Sequence, residues 1–165
     1  MNKKIVLASK SNVRKNILEN NGLNCIVKPA NIDEETVKES LIREGATPLL
    51  ISKNLAELKA NKISESLNEE VVIGADSVID LDGHIISKPS SRKEAMEILK
   101  KLNGKIHYLI SSVCVSKNGQ MIWNYTDKAS LTMKNMSNSD LEEYLSKITD
   151  ENLYAYNVYQ IEGEG

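Results

Sequence analysis

The chain has 165 residues with 21 lysines and arginines against 23 aspartates and glutamates, a net charge of −2, which is the size of a single domain. At 41% hydrophobic and 27% charged it excludes wholesale disorder and fibrous repeats. The near-neutral balance, without a polybasic run, excludes grip on duplex DNA by phosphate neutralisation, and a small anionic ligand needs only a few cations. No apolar stretch approaches the roughly 20 residues of a membrane span, so a cytoplasmic protein without a membrane partner is expected. Cys25 and Cys114 stand in unrelated apolar contexts and read as free core thiols. With no Phe, one Trp and six Tyr, the core must rely on Ile, Leu, Val and Met.

In chain order, residues 4–8 read as a short apolar strand, followed by a polar loop and a helix with Val13, Ile17 and Leu18 on one face and Gly22 as its stop. Residues 24–30 read as a second strand, and the acidic loop NIDEE leads into a helix near 36–43. Thr47 and Pro48 open the longest predicted helix, which runs to about Leu67. VVIGADSVIDL reads as a buried strand, joined through Asp82-Gly83 to HIISKP. Ser91 and Glu94 form a predicted capping box for a helix with Ala95, Ile98, Leu99 and Leu102 inward, ended by Gly104. A long hairpin turns at Asn118-Gly119, and Ser139 with Glu142 opens a last helix with Leu141, Tyr144, Leu145 and Ile148 inward. The alternation predicts a single α/β domain on a mixed sheet with flanking helices.

Chemistry concentrates in few places. The turn Ser9-Lys10-Ser11-Asn12-Val13-Arg14-Lys15 lies between a strand and a helix start, where backbone amides, hydroxyls and two cations suit a polyphosphate. Its plainer reading is a helix cap with two solvated cations, and it lacks the glycines of a P-loop. Asp76 stands in an apolar strand, where a carboxylate must bind a metal, meet a cation or face a cleft, unless the strand ends near Gly74 and leaves it in a solvated bend. Gly74 itself would let a ligand approach the backbone. Glu34, Lys88 and Glu162 each read singly as solvated charges, and together as parts of a site for a metal and a phosphate chain. His84 and His107 are isolated and read as structural.

The order LAS-x-S-x-x-R, IDE, LA-x-x-KA, GAD, DG-x-x-x-x-KP and Y-x-I-E-G-x-G, from Lys4 to Gly165, resembles the Maf family of nucleoside triphosphate pyrophosphatases. The resemblance implies a mixed α/β fold with a central cleft, of the inosine triphosphate pyrophosphatase (Maf/Ham) type. It also implies house-cleaning of the nucleotide pool by a hydrolase acting on acid anhydrides. The substrate would be a nucleoside triphosphate, canonical or modified, cleaved to the monophosphate and pyrophosphate with a divalent metal cation, Mg or Mn. By the same resemblance Ser9, Ser11, Arg14, Lys15 and Lys59 bind phosphate. Asp76 (the general base), Lys88 and Glu34 are catalytic, and Glu34 and Asp76 hold the metal. An aspartate at its ordinary pKa is a weak base at neutral pH, which assigns much of the water activation to the metal.

Val13, Ser77 and Glu162 occupy positions that the resemblance assigns to base selection. Ser77 leans toward the subfamily acting on dTTP and UTP, Val13 and Glu162 toward the one acting on 7-methyl-GTP. Lys15 stands where the family often has arginine, keeping the charge without the bidentate fork. Members of the family usually continue past G-x-G with a further strand and helix, whereas this chain stops at Gly165. Tolerance of the loss, completion of the sheet edge in a homodimer, and a shortened nucleotide-binding regulator of the division-arrest type with little turnover are the three expectations that follow.

Overall fold

The computed structural model describes residues 5–159. Its elements are β1 (Ile5–Leu7), α1 (Asn12–Asn20), β2 (Cys25–Val27), α2 (Glu34–Arg43), α3 (Pro48–Ser64), β3 (Val71–Leu81), β4 (His84–Ile86), α4 (Arg92–Leu102), β5 (Ile106–Lys117), β6 (Gln120–Thr132), α5 (Asn138–Lys147) and α6 (Asp150–Tyr156). Hydrogen-bonded strands run β2-β1-β3-β5-β6, with β4 added on β3. β1 is parallel to β2 and β3, and β4 is antiparallel to β3, so the sheet is mixed as the alternation of elements predicts. The chain forms two compact units: one holds the residues up to Ser77 with Ile110–Lys128, the other Val78–Leu109 with the residues from Ala129 onward.

In the first unit α3 is the organising helix. Thr47 caps it by accepting from the Leu50 amide at 3.3 Å, and Pro48 takes the first helical position, where its missing N–H costs nothing. Ala56, Ala60 and Ile63 of α3 pack with Val6, Ala8, Val72 and Cys114 into an aliphatic core. Gly74 of β3 makes this packing possible, because a Cβ there would meet the Ala56 carbonyl, the Ala60 amide at 2.7 Å and the Ala60 methyl at 2.9 Å. The space left by the glycine is therefore taken by α3, not by a ligand, which corrects the sequence expectation.

Three smaller differences have local causes. β2 covers only Cys25–Val27, because after Lys28 donates to the Leu7 carbonyl at 3.0 Å the next residue is Pro29, which has no amide to extend the ladder. On this short edge strand Cys25 is half-buried, while Cys114 is buried as expected, and both are free. In α1, Val13 and Leu18 are half-buried but Ile17 is exposed, so the expected three-residue face is narrower.

In the second unit Ile79 and Leu81 pack with Ala95, Ile98, Leu99 and Leu102 of α4, Leu141 and Leu145 of α5, Leu153 and Val158. The predicted inward face of α4 is the observed one, and both unit cores are aliphatic, as the scarcity of aromatics predicts; Trp123 and Tyr125 are exposed on β6. Ser91 caps α4 through the Glu94 amide, yet the Glu94 carboxylate turns to the amide and hydroxyl of Ser90, so the reciprocal half of the box is displaced by one residue. The α5 cap is Ser137, not Ser139. Asp140 returns its carboxylate to the Ser137 amide at 3.1 Å and closes a capping box two residues earlier than the Ser139–Glu142 spacing suggests. Helix α6, capped by Thr149, has no counterpart among the predicted elements. Both predicted tight turns are present, with positive φ at Asp82, Gly83, Asn118 and Gly119. No described helix is long and apolar enough to cross a membrane.

Replacing Gly74 by alanine is expected to destabilise the protein by about 1–3 kcal/mol or more, since the new methyl meets the α3 backbone at Ala56 and Ala60 instead of a flexible side chain. Urea denaturation of Gly74→Ala, with an unchanged m-value and a lowered midpoint, checks this; an unchanged midpoint contradicts the close approach.

Candidate active site

β1 and β3 are paired only as far as Leu7 and Ile73, and the Ala8 amide adds a bond to the Ile73 carbonyl at 2.8 Å. β3 then runs on past the carboxyl end of β1, carrying Asp76 and Ser77 into the region where open α/β sheets take their ligands. The chain leaving β1 forms the turn into α1. Ser11 is the N-cap, its hydroxyl accepting from the Arg14 amide at 3.3 Å. The buried Ser9 hydroxyl accepts from the Ser11 amide at 3.2 Å and from Arg14 Nη1 at 3.1 Å, so the guanidinium is folded back over the turn.

Lys59 reaches this end of the sheet from α3. Its Nζ lies 2.8 Å from Asp76 Oδ1 and 3.0 Å from Glu34 Oε1. The Lys59 and Asp76 side chains are each only 6% exposed, and Glu34 is 40% exposed. Glu34 is brought there because Asp33 caps α2 through the Thr36 amide at 3.1 Å, which makes Glu34 the first helical residue instead of a loop residue. The fully buried Ser52 hydroxyl donates to the Asp76 carbonyl at 3.1 Å and fixes the backbone from which the carboxylate projects. Asp76 is thus within a continuous strand, which rules out the solvated bend.

Burial pushes the Asp76 carboxyl above the usual aspartate range; the charge and hydrogen bond of Lys59 oppose the rise, Glu34 adds to it and Arg14 opposes it. Burial likewise lowers the Arg14 guanidinium, against the raising effect of Asp76 and Glu34. Asp76 Oδ2 is buried and has no hydrogen-bond partner. One oxygen of the carboxylate is therefore committed to Lys59 and the other is open to a proton, a water or a cation. Among the described residues no group of three or more His, Cys, Asp and Glu is gathered for a metal. Two carboxylates, one with an unsatisfied oxygen, fit an ion of the magnesium type that completes its shell with water and ligand phosphate.

Ser9, Ser11, Arg14, Glu34, Lys59 and Asp76, all singled out in the sequence, are thus brought together in the first unit. Lys15 instead pairs with Glu19 at 3.6 Å along the flank of α1. Val13 is half-buried beside Arg14, and Ser77 is exposed with its hydroxyl 2.9 Å from that of Ser111. Lys88 is exposed on the segment between β4 and α4 of the second unit, and Glu162 lies outside the described residues. His107 shares a hydrogen bond with Tyr159 at 3.0 Å within the second unit, a structural role as expected. Sequence reasoning missed Ser52 and Ser111, which stand among other polar residues of α3 and β5 and carry no local signal.

Residues 4–165 match the family described as Maf-like protein. Over all 165 residues the chain is 69% identical to a nucleoside triphosphate pyrophosphatase of Pelagibacter ubique (strain HTCC1062), covering 85% of that protein. It is 39% identical over 161 residues to a 7-methyl-GTP pyrophosphatase of Bartonella henselae, covering 98% of this chain and 80% of that one. Among solved structures, a HAM1 protein from Coxiella burnetii is similar in fold, with a TM-score of 0.50 at 14% identity over 78% of this chain and 70% of the other.

The electrostatics are open to direct measurement. Carbon-13 NMR is expected to find the Asp76 carboxyl titrating above the ordinary aspartate value of about 3.9, and Lys59→Met is expected to raise it further, because both of the lowering contributions of Lys59 are lost. A downward shift in Lys59→Met would contradict the assignment.

Proposed function

The chain belongs to the Maf-like protein family, and we propose that it is a nucleoside triphosphate pyrophosphatase, hydrolysing the bond between the α and β phosphates to give a nucleoside monophosphate and pyrophosphate. The observation that carries this reading is the buried Asp76 carboxylate, one oxygen fixed by Lys59 and the other unpartnered, at the carboxyl end of β1 beside the Ser9–Arg14 turn. A polyphosphate there meets the hydroxyls of Ser9 and Ser11, the Arg14 guanidinium and the amides that open α1.

Asp76 Oδ2 accepts the proton of the attacking water as its oxygen joins the α-phosphorus, the bond to the bridging oxygen breaks, and pyrophosphate leaves with that oxygen. The elevated pKa suits this role, because a carboxylate that binds its proton more tightly is a stronger base at neutral pH. Lys59 holds Asp76 in place and, with Arg14, offsets the charge that gathers on the leaving group. The same task is proposed for Lys88 on its KP motif alone. Lys15 contributes charge at longer range. Glu34 and Asp76 fit a magnesium or manganese ion, which when bound would neutralise phosphate charge and lower the pKa of a bound water. Val13, Ser77 and Glu162 are proposed to select the base, and the likeness to a 7-methyl-GTP pyrophosphatase is a reason to include that nucleotide in the test. Removal of unwanted triphosphates from the nucleotide pool is the corresponding cellular task.

Pyrophosphate release from canonical, methylated and deaminated triphosphates, with Mg²⁺ or Mn²⁺, tests the reading. Asp76→Asn is expected to lower kcat by about 10²–10⁴. The acid limb of the wild-type profile should lie above the ordinary aspartate range, since activity needs the ionised carboxylate and is lost as pH falls through its raised pKa. Turnover in Asp76→Asn within tenfold of wild type would overturn the assignment of the base. A wild-type chain that binds nucleotide without turnover would instead be a binding protein.

A further inference from the structure

Ser77 and Ser111 stand on β3 and β5, which are neighbouring strands, with their hydroxyl oxygens 2.9 Å apart. Asp76 turns its side chain toward α3, where it meets Lys59, so Ser77 projects from the opposite face of the same strand. Both residues lie past the end of β1, whose pairing with β3 stops at Ile73. A ligand lying across that end has Asp76 on one side and the Ser77 hydroxyl on the other. Ser77 is exposed, while Ser111 is half-buried behind it.

Two hydroxyls that share one hydrogen keep a second hydrogen for an outside partner. When Ser111 donates, the Ser77 proton is free to point outward; when Ser77 donates, it offers its lone pairs instead. The pair can therefore meet an exocyclic oxygen or an exocyclic amino group, and in both senses Ser111 is what fixes the position of Ser77 Oγ. We propose that Ser111 is a positioning residue for substrate selection, holding the Ser77 hydroxyl for the edge of the heterocyclic base of the bound nucleotide. The proposal rests on the reading of the adjoining cluster as a nucleotide site.

Calorimetric titration of α,β-methylene analogues of GTP and UTP, and of ribose 5-triphosphate, tests it in wild type, Ser77→Ala, Ser111→Ala, Ser111→Thr and the double alanine variant. Ser111→Ala is expected to weaken the binding of both nucleotides about 3- to 10-fold, the worth of one neutral hydrogen bond, and to leave ribose 5-triphosphate within twofold. The double variant should lose no more than either single one, and Ser111→Thr, which keeps the hydroxyl, should restore binding. Ser111→Cys, of similar size but a poor donor, replaces the alanine variant if that one does not fold, with the same expected loss. Unchanged nucleotide binding, additive losses, or equal weakening for ribose 5-triphosphate would each overturn the role of Ser111 while leaving the nucleotide site standing. A folded wild type that binds none of the three probes overturns both.

Discussion

The ammonium of Lys59, shared by Asp76 and Glu34, is the interaction on which the arrangement of the first unit depends. A lysine and an aspartate with side chains 6% exposed can stay charged only if they are held together, because removing either partner from such a pair costs about 3–5 kcal/mol. Holding them together requires α3 to lie close against β3, which Gly74 permits by having no side chain between the strand and Ala56 and Ala60. Glu34 joins the pair because the Asp33 cap starts α2 at that residue. A glycine, a cap and a buried serine thus act in concert on one carboxylate.

That carboxylate is kept at a cost. Burial favours its neutral form, so its contribution to folding is present below the ordinary aspartate pKa and is lost as pH rises from there through the elevated value. Lys59 and Arg14 limit the loss, and Glu34 works against them. The unpartnered Oδ2 adds to the strain on stability, since a buried acceptor without a donor is expensive. Such expense in an otherwise aliphatic core is the mark of a group retained for its chemistry.

Much of this was legible in the sequence because it is local. Strand and helix periods, the turns at Asp82-Gly83 and Asn118-Gly119, and the oddity of an aspartate inside VVIGADSVIDL all express themselves within a few residues. The convergence was legible only through the order of motifs: Glu34, Lys59 and Asp76 are far apart in the chain, and Lys59 by itself is one of three lysines on α3. Gly74 was misread because a glycine in a strand announces close approach without saying of what. Ser52 and Ser111 were missed because their hydroxyls act across the fold, on a carbonyl and a hydroxyl that no spacing rule connects to them. Helix α6 was missed because its seven residues are too few to establish a period.

Helix geometry also decides how much the lysine at position 15 matters. Successive residues on an α-helix are turned by about 100°, so Val13, Arg14 and Lys15 cannot address the same point. Arg14 faces the Ser9 hydroxyl and the carboxylates, Val13 is half-buried to one side, and Lys15 is directed along the helix to Glu19. A bidentate fork at position 15 would have nothing in the cluster to clasp, so the exchange of arginine for lysine there costs only what an exposed charge contributes at a distance, which salt screens. At position 14 the same exchange would remove the guanidinium nitrogen that bonds the Ser9 hydroxyl, while the backbone bonds of the turn would stay. Two adjacent cations of one motif therefore carry unequal weight, and the orientation of α1, fixed by the Ser11 cap, is what makes them unequal.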